Sequence, residues 1–157
     1  MRQLLINRVS VLLVAVLLLA GSVEAAALSL NVTVETTQNN VKNGGFLPVI
    51  INIRNVGDAV QTLHLYSCSH QNNWITDNPF VSLVSGPCKK DVLRVVNLKE
   101  GEIYKQTETV RVTVPAKDVS ISSLNFRLGF RDGSWGNYNQ LPSSWSNQIT
   151  INVMEQR

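Results

Sequence analysis

Apolar side chains recur at every second position in one segment after another of this chain, and that period restricts the possible folds more than any other feature. Leu124, Phe126, Leu128 and Phe130 alternate with outward Asn125 and Arg127. Leu28, Leu30, Val32 and Val34 alternate with Ser29, Asn31, Thr33 and Glu35. The same pattern runs through Leu47, Val49, Ile51 and Ile53, and again through Ile149, Ile151 and Val153. A period of two places such residues on one face of a half-buried strand, and no segment shows a sustained 3.6-residue apolar period. Further strands are expected at Val60–Cys68, Phe80–Val84 and Val110–Val114. Val92–Leu98 is apolar on both faces, which reads as a central strand.

The breaks agree with that pattern. Asn39–Gly45, Asn55–Asp58, Gln71–Pro79, Gly86-Pro87 and Lys99–Glu102 are turn or loop clusters. Seven or eight short strands at about 8–12 residue spacing predict an all-β fold, an immunoglobulin-like antiparallel β-sandwich. The chain has 157 residues, 44% of them hydrophobic, which suits one domain with an ordinary core.

Residues 1–25 read as an export signal. Arg2 and Arg8 form a positive start, Val9–Ala20 an apolar stretch, and small residues precede Ala25. Cleavage is expected after Ala25 or Ala27, so 157 less 25 or 27 leaves 132 or 130 residues, with residues 28–157 forming the single domain. The apolar stretch falls short of the roughly 20 residues of a membrane span, so no membrane insertion is expected after cleavage. Leu19-Ala20-Gly21-Ser22 has Ser where a lipobox needs Cys, which excludes a lipoprotein. The expected location is secreted or periplasmic.

Charge excludes another class. Without Arg2, Arg8 and Glu24, fourteen basic groups become twelve and eleven acidic groups become ten, a net +2. Lys89-Lys90 is the only adjacent basic pair. No nucleic-acid partner is expected, because that needs clustered positive charge.

Cys68 and Cys88 form an even pair in an exported chain, which favours one disulfide. The competing reading is a metal held by His64, Cys68 and His70, which share a strand parity. A blue-copper site, however, needs its Cys, His and Met together near the C-terminus. We therefore expect neither metal nor cofactor, and both histidines as surface groups. Catalysis has no signature: no nucleophile elbow accompanies the histidines, Asp77 and Asp132 qualify as glycosidase carboxylates only as any two loop acids would, and Asp77, Asn78 and Asp132 meet no calcium spacing rule. The expected class is non-enzymatic. Asn31-Val32-Thr33 is a glycosylation sequon of interest only in a eukaryotic host.

The turns carry a resemblance. Ile53-Arg54-Asn55-Val56-Gly57, an apolar strand, then Leu98-Lys99-Glu100-Gly101-Glu102 resemble exported bacterial immunoglobulin-like domains of the CARDB (cell-adhesion-related) and fibronectin type III kinds. Asn55, Leu63–Ser67, Leu98–Glu102 and Thr107-Glu108-Thr109 are also similar to the BsuPI-like proteinase inhibitor domain. The stretch from Cys68 through Trp74 and Cys88 to Phe126–Phe130 and Trp145-Ser146-Asn147 resembles uncharacterised bacterial secreted proteins. The first resemblance implies a binding module, the second a secreted inhibitor of a protease or other hydrolase.

The segment Arg131–Ser146 is the expected contact site. It is long for a hairpin loop and carries Trp135, Tyr138 and Trp145. Aromatic rings of this kind supply contact area to a protein or stack on a sugar. Trp74, within the loop bracketed by the cysteines, is a further candidate. The competing reading of both Trp145 and Trp74 is structural, with Trp145 plugging the sandwich end.

Overall fold

The computed structural model describes residues 28–115, 121–135 and 141–154, with Trp135 described by its backbone alone. The export signal and Tyr138 lie outside these residues. The described residues form an all-β fold. Its strands are β1 (Leu30–Glu35), β2 (Asn40–Lys42), β3 (Phe46–Asn55), β4 (Gln61–Tyr66), β5 (Trp74–Thr76) and β6 (Val81–Leu83). They continue with β7 (Leu93–Leu98), β8 (Ile103–Val112), β9 (Ser123–Phe126), β10 (Leu128–Phe130), β11 (Ser144–Trp145) and β12 (Ile149–Met154).

One layer is the sheet β1-β3-β8-β6. Its centre is the long β3–β8 pair, which runs from Phe46 opposite Arg111 to Arg54 opposite Ile103. The other layer is assembled from β2-β12-β9, β11-β10-β5 and the ribbon β4-β7. All neighbouring strands are antiparallel except β2 and β12. Leu47, Val49, Ile51 and Ile53 from one layer and Phe126, Leu128, Phe130 and Ile151 from the other are fully buried together. At about 25 cal/mol per Å² of apolar surface removed from water, this core is the main source of stability.

Asn55 locks one end of the sandwich. Its side chain is buried, donates to the carbonyls of Ala59 at 2.8 Å and Leu98 at 2.9 Å, and accepts the Gly57 N–H at 2.9 Å. The Asn55 carbonyl accepts the Gly101 N–H at 3.0 Å. Gly101 has φ 75°, a left-handed conformation that glycine adopts without strain. The two turns of the sequence resemblance are therefore one hydrogen-bonded unit.

Four expectations change. Among the described residues β7 is an edge strand that pairs only with β4, and Leu93 and Val95 are exposed. Its second apolar face meets no opposing sheet among the described residues. The single strand expected from Leu124 to Phe130 is divided at Arg127. Asp77 Oδ1 takes the Arg127 N–H at 2.7 Å, and the Arg127 carbonyl accepts the Asp77 N–H at 3.3 Å. Pairing therefore passes from β12 to β5 and β11. β8 begins at Ile103, seven residues before the expected Val110, because β3 extends beside it. Finally β4 ends at Tyr66, so His64, Cys68 and His70 do not share one strand.

Candidate functional site

The disulfide lies just beyond β4, and a short 3₁₀ turn (His70–Asn72) leads from it into β5, whose partner β10 runs into the long loop. Cys68 and Cys88 are bonded, with Cα atoms 5.7 Å apart, inside the usual range for a bridge. The expected disulfide is present. Asp91 lies beside it and accepts the N–H groups of Cys68 at 3.2 Å and Ser69 at 3.4 Å. Burial works against ionisation of Asp91. Hydrogen bonds from Ser69, Cys68 and Ser67 outweigh it and hold the carboxyl below its ordinary value. Cys68, Cys88 and Asp91 are the one cluster of possible metal ligands among the described residues, and its sulfurs are bonded to each other.

The loop is rooted by side chains that replace a missing strand. Buried Asn73 accepts the Tyr66 N–H at 2.7 Å and donates to the carbonyls of His64 at 3.0 Å and Arg131 at 2.9 Å. Asp132 Oδ1 accepts the His64 N–H at 2.5 Å, and Oδ2 lies 3.1 Å from His64 Nδ1. Ser134 donates both its N–H and its hydroxyl to Asp132 Oδ2. On the returning side, the Ser143 N–H donates to Phe130 at 2.8 Å and the Ser146 N–H to Leu128 at 2.9 Å. Both stems of the loop are thus fixed. A 3₁₀ turn at Gly133–Trp135 lies against β4 and β7. A Cβ at Gly133 would stand 2.7 Å from Leu93 and 2.8 Å from the His64 carbonyl, so only glycine fits there.

The candidate aromatic residues separate. Trp74 is buried at 3% exposure and packs on Phe130 with ring centroids 5.3 Å apart. As a contact residue Trp74 is corrected to a core residue, because β5 directs it between the layers. Trp145 is half-buried beside Pro142 over Gly129, with the Arg127 guanidinium 5.2 Å from its ring centre. Arg127 in turn pairs with Asp77 at 2.7 Å. Trp145, Arg127 and Asp77 form an accessible aromatic–cation–carboxylate row beside the loop stem. Burial acts to raise the Asp77 pKa, but the side-chain and main-chain hydrogen bonds from Arg127 prevail and hold it below the ordinary value. Trp135 lies on the 3₁₀ turn, its side chain outside the described residues, as is Tyr138.

Both histidines are half-buried and paired, contrary to the expectation of free surface groups. His70 enters between the layers, where its Nδ1 lies 2.5 Å from Glu108 Oε1 and its Nε2 lies 3.0 Å from the Ser67 carbonyl. Glu108 is on the buried face of β8 in line with Val110 and Val112, and Gln106 donates to it. His70 thereby supplies a hydrogen-bond partner to an inward polar side chain, as burial requires. Sequence reading missed both pairs, which join residues 38 and 68 positions apart. The sole available signal was Glu108 at an inward parity in β8. Among the described residues no serine or cysteine side chain is hydrogen-bonded to either histidine. Asp77 and Asp132 serve different partners and share no site.

No family model matches this chain, and no curated protein matches it. Solved structures resemble it at low identity. A native alpha-2-macroglobulin from Escherichia coli, spanning domain MG7 to the C-terminus, matches with 16% identity and a TM-score of 0.44 over 83% of this chain. A beta-glucosidase from Listeria innocua matches with 13% identity and a TM-score of 0.42 over 81%. The chain spans only 17% and 16% of those two proteins. AvmM, which catalyses macrocyclization in alchivemycin A biosynthesis, matches with 11% identity and a TM-score of 0.38, with 83% of this chain and 91% of AvmM covered. The likenesses are too low to carry an activity across. The sandwich rests on the chain's own strand pairing.

Proposed function

We propose that this chain is an exported, non-catalytic binding module that contacts a protein or carbohydrate surface through the loop of residues 131–146. The supporting observation is the double rooting of that loop: Asp132 on His64 at one stem, Ser143 and Ser146 on β10 at the other. Loops rooted at both stems on a sheet are where sandwich folds commonly carry contact residues. The Trp145–Arg127–Asp77 row adds a flat ring with polar groups at its edge, suited to a sugar face or an aromatic hot spot. Export, secreted or periplasmic, is part of this reading, and the disulfide fits an oxidising compartment. So is kinship with exported immunoglobulin-like domains, supported by the joined turns at Asn55 and Gly101.

The test compares the exported protein with a Trp135→Ala/Tyr138→Ala variant on a panel of purified polysaccharides, cell-wall sacculi and cell-surface proteins. Loss of binding with an unchanged melting temperature supports the loop as the contact site. Equal binding by both proteins removes the loop from consideration. Stoichiometric block of a secreted protease by the wild-type protein would instead assign the inhibitor function.

A further inference from the structure

The connection from β6 to β7 carries the one adjacent basic pair of the chain, Lys89-Lys90. Residues 84–92 are exposed without a break and belong to no strand, and the chain bends at Lys89. Among the described residues, no main-chain N–H or carbonyl of residues 85–89 is hydrogen-bonded, and neither lysine side chain has a partner. The segment is nevertheless tied on both sides of the pair, and to the same place. On one side Cys88 is bonded to Cys68, with Cα atoms 5.7 Å apart. On the other, Asp91 accepts the N–H groups of Cys68 at 3.2 Å and Ser69 at 3.4 Å, and the Ser67 hydroxyl at 3.4 Å. Val92 continues that hold: it donates its N–H to Ser67 Oγ at 3.1 Å and accepts the Ser67 N–H at 2.9 Å. Lys89 and Lys90 thus form a two-residue bridge whose ends are both held by residues 67–69.

We propose that this bridge enters the active site of a lysine-selective serine protease and blocks it, with Lys89 in the specificity pocket and Lys89–Lys90 at the position of the cut bond. An anionic surface would use the two charges alone. A protease cleft also needs free main-chain groups beside the cut bond, because it binds them as an added strand, and residues 85–89 supply these. A pocket with a carboxylate at its base takes the lysine side chain. The protease serine oxygen adds to the Lys89 carbonyl carbon, and its proton passes through the protease histidine to the Lys90 nitrogen. The Lys89–Lys90 bond breaks, which leaves an acyl ester and an amine. Cys88 and Asp91 remain tied to residues 67–69, so the Lys90 amine stays beside the ester. It attacks the ester carbonyl, the peptide bond re-forms and the serine recovers its proton, with no water consumed. A loop already held in its bound form also loses little entropy on binding. The contact uses none of residues 131–146 and goes beyond the binding function proposed above.

Titrating trypsin with the oxidised, exported protein, and following hydrolysis of a small lysine ester, tests this. The expected result is a one-to-one loss of activity, with chymotrypsin unaffected. Lys89→Ala should weaken the block by about a hundredfold or more, and Lys90→Ala by less than about tenfold. Lys89→Phe leaves both tethers in place and should move the block from trypsin to chymotrypsin. Cys68→Ser/Cys88→Ser, assayed below its melting temperature, should be cut after Lys89 and cease to inhibit. The Trp135→Ala/Tyr138→Ala variant should inhibit like the wild type, so failure of this inference and failure of the loop of residues 131–146 are separate results. Trypsin that stays fully active overturns the proposal, including trypsin that cuts the wild-type chain and turns over. So does a block that survives Lys89→Ala, or one that Lys89→Phe does not transfer.

Discussion

The side-chain amide of Asn147 occupies the place of a strand beside Val34. Its Oδ1 accepts the Val34 N–H at 2.7 Å, and its Nδ2 donates to the Val34 carbonyl at 3.1 Å. Asn43 makes the same pair of contacts with Val114, at 2.8 and 2.9 Å. An asparagine amide carries the same donor and acceptor as a peptide group, so one side chain can complete a ladder that no strand reaches. Val34 is buried, and replacing Asn147 with Ala leaves two of its main-chain groups unpaired. Chemical unfolding should show a loss of about 1–3 kcal/mol. A negligible loss would mean that water serves Val34 equally well.

Removing the Cys68–Cys88 bridge frees a loop with a sequence separation of 20. Chain entropy sets the cost at about 3 kcal/mol. The Cys68→Ser/Cys88→Ser variant should therefore melt lower than the oxidised wild type and show no further change on adding reductant.

The two tryptophans at the sandwich end should respond differently to truncation. Trp74→Ala empties a space in the core beside Phe130 and is expected to cost about 3–5 kcal/mol. Trp145→Ala removes a half-buried ring and its contact with Arg127, and should cost about 1–2 kcal/mol. Equal losses in denaturant titrations would contradict this division.

Asp77 links stability to pH. Its carboxyl is held below the ordinary value, so it binds protons less readily folded than unfolded. The stabilisation is present above the unfolded value of about 3.9 and is lost as pH falls through the lower folded value. Asp77 and Arg127 are both accessible, so the pair contributes no more than about 1 kcal/mol. The stability gap between wild type and Asp77→Asn should be constant near neutrality and narrow below about pH 4. A gap that widens with acid would reverse the assigned direction.

Processing can be read by mass. Cleavage after Ala25 leaves Ala26 first, and cleavage after Ala27 leaves Leu28 first. The intact mass of exported protein is expected to match one of these. Material retaining Met1–Ala20 in the membrane would contradict the export signal.

The candidate site was only partly legible in the residues. The cysteine pair could be matched from its even count and spacing. The rooting of the loop could not, because Asp132 reaches His64 across 68 positions and neither residue has a local signature. Trp74 offered no local clue to its depth: a tryptophan among Gln71, Asn72, Asn73 and Asp77 reads as a loop residue until β5 pairs with β10.

The sequence by itself determined the strands whose two faces differ. In β3, Leu47, Val49, Ile51 and Ile53 must share one buried face whatever lies opposite, because alternation is a property of the extended backbone. It also determined the turns at Asn55 and Gly101, which depend on a local amide and a left-handed glycine. Tertiary structure alone decided which strands became edges and which polar groups met. β7 is apolar on both faces, so its pattern fits a centre or an edge equally well, and only its pairing, with β4 alone among the described residues, makes the difference. Glu108 and His70, like Asp77 and Arg127, are brought together by strand pairing between distant segments. A contact of that kind depends on the register of the whole sheet rather than on any residue's neighbours in sequence.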